Sequence, residues 1–183
     1  MTRLQIQSVN QKHVRVSGIN PLLAGCLHEL PRILELRDNP AVRARLLPPP
    51  TAEDAAINQE WKESIEPDLR HLLASASEII TRDLTGLKPS PRAPDCCFVT
   101  FPNTHTAAWM SALNQARLIL SVLAKVDEID MNLPYSQLKG EKVLAVIQID
   151  AFGILLNQFV ERELKPSRRA KPNHPGPKRR KKQ

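Results

Sequence analysis

The sequence predicts a mainly α-helical domain that opens with a small antiparallel sheet and closes on a basic, disordered tail. Three observations carry this. Long stretches repeat apolar residues every three or four positions, the spacing that lines one face of a helix. Two short segments near the start alternate apolar and polar residues, as strands with one wet face do. Residues 165–183 hold nine Lys and Arg and no acid, a run that repels itself and buries nothing. The chain therefore divides into a single domain, residues 1–164, and a tail, residues 165–183.

The alternating segments are Leu4 to Val9 and His13 to Ser17, with Asn10-Gln11-Lys12 able to turn the chain between them. Two strands alone are marginal, and Phe98 to Phe101, aromatic and β-branched, supplies a third. Asn20-Pro21 opens a helix over 21–37, with Asn as cap and Pro at the first position. Leu22, Leu23, Cys26, Leu27 and Leu30 make its apolar face, and Pro31 predicts a kink or break. A short helix spans Ala41 to Leu46 and ends at Pro48-Pro49-Pro50, an extended linker. Thr51-Ala52-Glu53-Asp54 starts a helix over 52–65, with Ala55, Ile57, Trp61 and Ile65 as its stripe.

A further helix covers 67–84, with Leu69, Leu72, Leu73, Ala76, Ile79 and Ile80 inward. Residues 86–96 carry three prolines and read as a loop. The segment Phe98 to Lys125 organises the rest: a strand stopped by Pro102, Thr104 as N-cap, then a helix over 105–126. Trp109, Leu113, Ala116 and Leu120 recur on one face, and residues 118–124 are apolar on nearly every side, so this helix belongs at the centre of the core. Residues 127–140 are polar and irregular. The last helix, 141–163, is too apolar to stand alone; it is expected to pack on the central helix and to pair across a homodimer.

Length and composition fit this picture. The chain has 183 residues, 42% hydrophobic and 25% charged, enough for a real core. Its +7 net charge is unevenly spread. Of 26 basic residues nine lie in the tail, so residues 1–164 hold 17 against all 19 acidic ones. The body is slightly acidic and the tail makes the protein basic. No signal peptide is expected, because Met1 to Asn10 lacks an apolar block. No membrane span is expected either, because Gln148, Asp150, Asn157 and Gln158 interrupt the last helix. Three cysteines give no even disulfide framework, which suits a reducing cytoplasm.

Three blocks together resemble a bacterial family. They are Arg45-Leu46-Leu47-Pro48 followed by Glu66-Pro67; the block Ala108-Trp109, Ala112-Leu113-Asn114 and Arg117-Leu118; and the apolar last helix with Leu155 to Glu161. The family is the mostly uncharacterised helical one often encoded beside the proteolytic adaptor ClpS in actinobacteria, and it includes the AosR-like redox-responsive transcription regulators. The resemblance covers roughly residues 3–163. It implies a helical, dimeric cytoplasmic protein, with a transcription role in some members. Pro31 and the basic tail depart from the family pattern. The cysteines do not map onto the regulators' redox pair, so that chemistry does not carry over.

The tail is the strongest signal outside the core. Lys165, Arg168, Arg169, Lys171, Lys178, Arg179, Arg180, Lys181 and Lys182 suit a polyanion, with a steep dependence on salt. With no aromatic residue to stack on bases, the tail is not expected to read sequence. The bland alternative is a solubilising tail. Cys96 and Cys97 are adjacent, and with Cys26 they are the redox candidates. A disulfide between neighbours is strained, either thiol could pair with Cys26, or strand alternation could bury one as a small hydrophobe.

Arg117 and Asn114, three apart, form a polar pair on the core helix. The structural alternative to an anion site is an internal ion pair with Glu60, Glu63, Glu66 or Asp68. Asp150 and Glu161 mark an exposed face or a dimer register. The five histidines have no neighbours at zinc-ligand spacing, so no metal and no cofactor is expected. No phosphate-binding glycine loop and no hydrolase or metalloprotease motif occurs. The sequence thus favours a non-enzymatic regulatory protein, a transcription regulator contacting nucleic acid through its tail. The alternative is a helical protein-interaction module linked to ClpS-type turnover, with the tail incidental; its protein partner is not specified.

Overall fold

The computed structural model describes residues 3–164. The two alternating segments form the hairpin β1, Gln5–Ser8, and β2, His13–Ile19. Asn10 closes the turn, its side-chain oxygen accepting from the backbone N–H of Lys12 at 2.8 Å and of His13 at 2.9 Å. The predicted third strand is present as β4, Ala93–Pro102, antiparallel to β2 with Val14 opposite Phe101 and Val16 opposite Val99. All four of these side chains are buried. The sheet carries a further strand that the sequence reading missed. Within the expected loop, Lys88–Ser90 forms β3 on the outer edge of β4, giving the order β1-β2-β4-β3. Its proline hides the strand in sequence, but an edge strand tolerates a missing N–H.

Of the seven α-helices among the described residues, six follow the predicted positions with shifted ends. α1 spans Pro21–Glu35 and is capped by Asn20, which accepts from Leu23 N–H at 2.8 Å. Pro31 neither breaks nor ends it. A proline inside a helix costs about 3 kcal/mol, and the buried Leu30, Ile33 and Leu34 on both sides of it offset that cost. Leu22, expected on the apolar face, is 57% exposed. α2 is Pro40–Leu46, capped by Asn39.

α3, Ala55–Ser64, begins three residues later than predicted. Asp54 is its cap, accepting from Ala56 and Ile57 N–H, while Thr51 is tied to the side chain of Asn58. α3 contains no buried residue: Ile57 is 49% exposed, and Ile65 just after it 50%. The periodic stripe is real, but this helix lies at the edge of the molecule, mainly against α4. α4, Glu66–Leu84, buries Ala76 and Ile80, half-buries Leu69, Leu73 and Ile79, and leaves Leu72 exposed.

The central helix is α5, Thr106–Leu123. Thr104 does not cap it; a 3₁₀ turn, Asn103–His105, leads into it instead. Trp109, Ala112, Leu113, Ala116 and Ile119 are fully buried, and α5 touches α1, α2, α4 and α7. A short α6, Glu128–Asn132, occupies part of the expected irregular stretch and is held by a reciprocal cap between Asp127 and Asp130. α7, Glu141–Leu164, packs along α5 as predicted. Phe159 on α7 meets Trp109 at 6.0 Å between ring centres, and Phe101 of β4 stacks on Trp109 at 4.6 Å. Those three rings join sheet, central helix and last helix into one core. By length and composition α7 could cross a membrane, yet eight of its residues are buried, Ala151, Phe152, Leu155 and Phe159 in this core, as a core helix of the same composition would be.

Candidate functional site

The residues singled out in sequence do not converge. The nine basic tail residues, from Lys165 to Lys182, lie outside the described residues. The three cysteines are free thiols. Cys26 is buried on the inner face of α1, and burial pushes its thiol up from the ordinary range. Cys96 and Cys97 are both half-buried on β4, where Cys97 stands opposite Ile19 and Pro89.

Asn114 and Arg117 do not act as a buried pair. Asn114 is exposed, and the buried polar residue of α5 is its neighbour Gln115. Gln115 points toward α4, donating to Ser111 Oγ at 3.2 Å and to the Leu73 carbonyl at 3.4 Å, while its own carbonyl oxygen is unpaired among the described residues. Arg117 is half-buried beside Gly153 of α7. Its Nε is buried without a partner among the described residues. Glu66, one of the carboxylates expected to pair with it, is engaged by Arg43 of α2 instead. Asp150 accepts from Tyr135 Oη at 2.7 Å, and that bond, with burial, raises the tyrosine's pKa.

Two arrangements were not anticipated. Asp83, near the end of α4, has a buried carboxylate that accepts from Trp109 Nε1 at 2.9 Å and from His105 Nδ1 at 3.0 Å. The acceptor fixes His105 with its proton on Nδ1. The shared carboxylate clamps the start of α5 to the end of α4. It satisfies the indole N–H of a fully buried tryptophan, which would otherwise cost about 1–3 kcal/mol. Nothing in the local sequence around Asp83 or His105 marks it, because the partners lie on separate elements.

The second arrangement is a cleft between α2 and α4 lined by Arg37, Arg43, Arg70 and an apolar wall. Arg43 is fixed there by Glu66, which is 5% exposed and accepts from Arg43 Nε at 2.8 Å and from Nη2. That doubly bonded fork explains how a glutamate is tolerated at the buried start of α4.

Residues 19–161 match the protein family described as "Domain of unknown function (DUF2017)". The chain belongs to the DUF2017 family. The match opens at the end of β2 and closes near the end of α7, so the DUF2017 unit comprises every helix of the core and the two sheet strands β3 and β4. The strand β1, most of β2 and the basic tail lie beyond it. Searches of curated proteins and of solved structures found no match. The cleft, the Asp83 clamp and Arg117 all fall inside the DUF2017 unit. Among its described residues no group of three or more His, Cys, Asp or Glu side chains could hold a metal ion.

Proposed function

We propose that this DUF2017 protein is a non-enzymatic regulatory protein that contacts nucleic acid through residues 165–183. The observation that carries the reading is the partition of charge. Nine basic residues and no acid follow a body in which 19 acidic residues outnumber 17 basic ones. A polyanion is drawn to such a tail and not to the body, and each phosphate neutralised releases counterions. The resemblance to the AosR-like transcription regulators supports a role in transcription, in the cytoplasm. None of the cysteines is used in this reading.

The test compares the full chain with a 1–164 truncation in binding to double-stranded DNA across a salt series. The full chain binds, with affinity falling about as the 0.9 power of salt per phosphate contacted, and the truncation loses that binding. Equal binding by both, or none by either, would remove the tail from the mechanism.

A second reading is a helical protein-interaction module, linked to ClpS-type turnover, in which the tail is incidental. It is favoured by the outer side of α7. Leu144 and Ile154 are 61% and 59% exposed, and the half-buried Ile147 lies between them on the same face. In either reading this face is where a second copy of the chain would pair.

A further inference from the structure

The cleft between α2 and α4 encloses about 320 Å³ and is open to solvent. Its apolar wall comes from Leu46 and Leu47 at the end of α2 and from Leu73 and Ala74 on α4. Its cations differ in how firmly they are held. Arg43 is committed to the buried Glu66. Arg70 reaches Asp38 at 3.4 Å, with the two side chains 48% and 66% exposed, a geometry that water and other anions easily displace. Arg37 donates Nη1 to the Leu34 carbonyl at 3.2 Å and has no carboxylate partner among the described residues. The cleft therefore sets one uncompensated guanidinium and one loosely held one beside an apolar surface.

We propose that this cleft binds a small amphipathic organic anion: an apolar body carrying a single carboxylate. The head group pairs with Arg37 and draws Arg70 away from Asp38, and the body lies on Leu46, Leu47 and Leu73. A guanidinium fork matches a carboxylate bidentately. A monoanion fits better than a phosphate dianion, because Arg37, Arg43 and Arg70 against Asp38 and Glu66 leave a single excess positive charge, however Arg70 is paired. The volume lies at the low end of the range of about 300–1,000 Å³ typical of small-molecule sites, which suits a short chain or single ring. This site lies in the helical body and is independent of the nucleic-acid reading.

The test titrates the full chain with octanoate, octanol and acetate and follows backbone amides by NMR. Octanoate shifts the amides of Leu46, Leu47, Leu73 and Ala74 and binds at least about tenfold tighter than octanol, the scale of one hydrogen bond to a charged group. Arg37→Gln brings octanoate down to the affinity of octanol. Ala74→Leu, which fills the cleft, abolishes octanoate binding while far-UV circular dichroism stays helical, so the proposal is still decided if the arginine variant does not fold. Octanol binding as tightly as octanoate would overturn it, as would shifts centred elsewhere or octanoate binding unchanged in a folded variant.

Discussion

Gly18 shows how much one residue can decide. It sits in the bulge between Ser17 and Ile19, with φ of +72°, and a Cβ there would drive into the backbone carbonyl of Arg3, whose carbon lies 2.8 Å away. Both the backbone angle and the close approach of the Arg3–Leu4 backbone just before β1 require glycine. Gly25, on the exposed side of α1, is the contrast: a Cβ there meets nothing within 4 Å. Gly18→Ala should destabilise the domain by about 1–3 kcal/mol from the backbone angle alone, with the steric clash adding to it. Gly25→Ala should instead stabilise it by up to about 1 kcal/mol. Urea unfolding of both variants checks the opposite signs; equal effects would show that the Arg3–Leu4 backbone does not pack against Gly18. Asn20, Asn39 and Asp54 also act at this scale, each closing a helix start through its own side chain, and Asn20 was legible as a cap because it precedes a proline. Asp83 and His105 were not legible, because their bond joins positions 22 apart.

Among the elements, α6 depends most on charge. It has five residues, too few for a helix to persist by itself. It is hitched to α7 by Lys142, whose Nζ donates to Asp130 Oδ2 at 2.6 Å. Lys142, together with the Asp127 backbone N–H, holds the Asp130 carboxyl below its ordinary value near 3.8. A depressed carboxylate contributes stability that is present above the unfolded-state value and is lost as pH falls through the folded-state value. Asp130→Asn should therefore lower stability near neutrality, and the difference from the parent should close once acid protonates Asp130 in the folded state. Thermal melts across an acid series check this, and a constant difference at every pH would mean that the carboxylate charge is not what holds α6. Periodicity located α4, α5 and α7 to within a few residues, since each carries several turns of apolar repeats. It missed α6, which has no apolar repeat to read, and β3, whose proline argues against a strand until its edge position is known.

For the whole molecule, the question is what covers the apolar residues that one copy leaves in water. The outer face of α7 exposes Leu144 and Ile154, and the α3–α4 edge exposes Ile57, Ile65 and Leu72. Pairing of two copies through α7 would cover the first set under a two-fold axis. Sedimentation or light scattering of the full chain at micromolar concentration should give twice the monomer mass of 20.6 kDa, and Ile154→Asp should return it to one. A monomer at that concentration in the unaltered chain would leave the α7 face for another protein partner.

Local chemistry determined that this chain is helical with a small sheet, that α5 is its central helix, and that a dense run of positive charge follows residue 164. Helical repeats, caps and charge runs are properties of neighbouring residues, so they survive without any tertiary contact. The tertiary structure decided which partner each group takes. Glu66 was among the expected partners of Arg117 and belongs to Arg43; Gln115, not Asn114, turns inward; the stripe of α3 stays at the surface. The reason is geometric. Which carboxylate meets which guanidinium, and which apolar face finds cover, depends on how helices far apart in sequence pack around α5. Spacing along the chain does not carry that information.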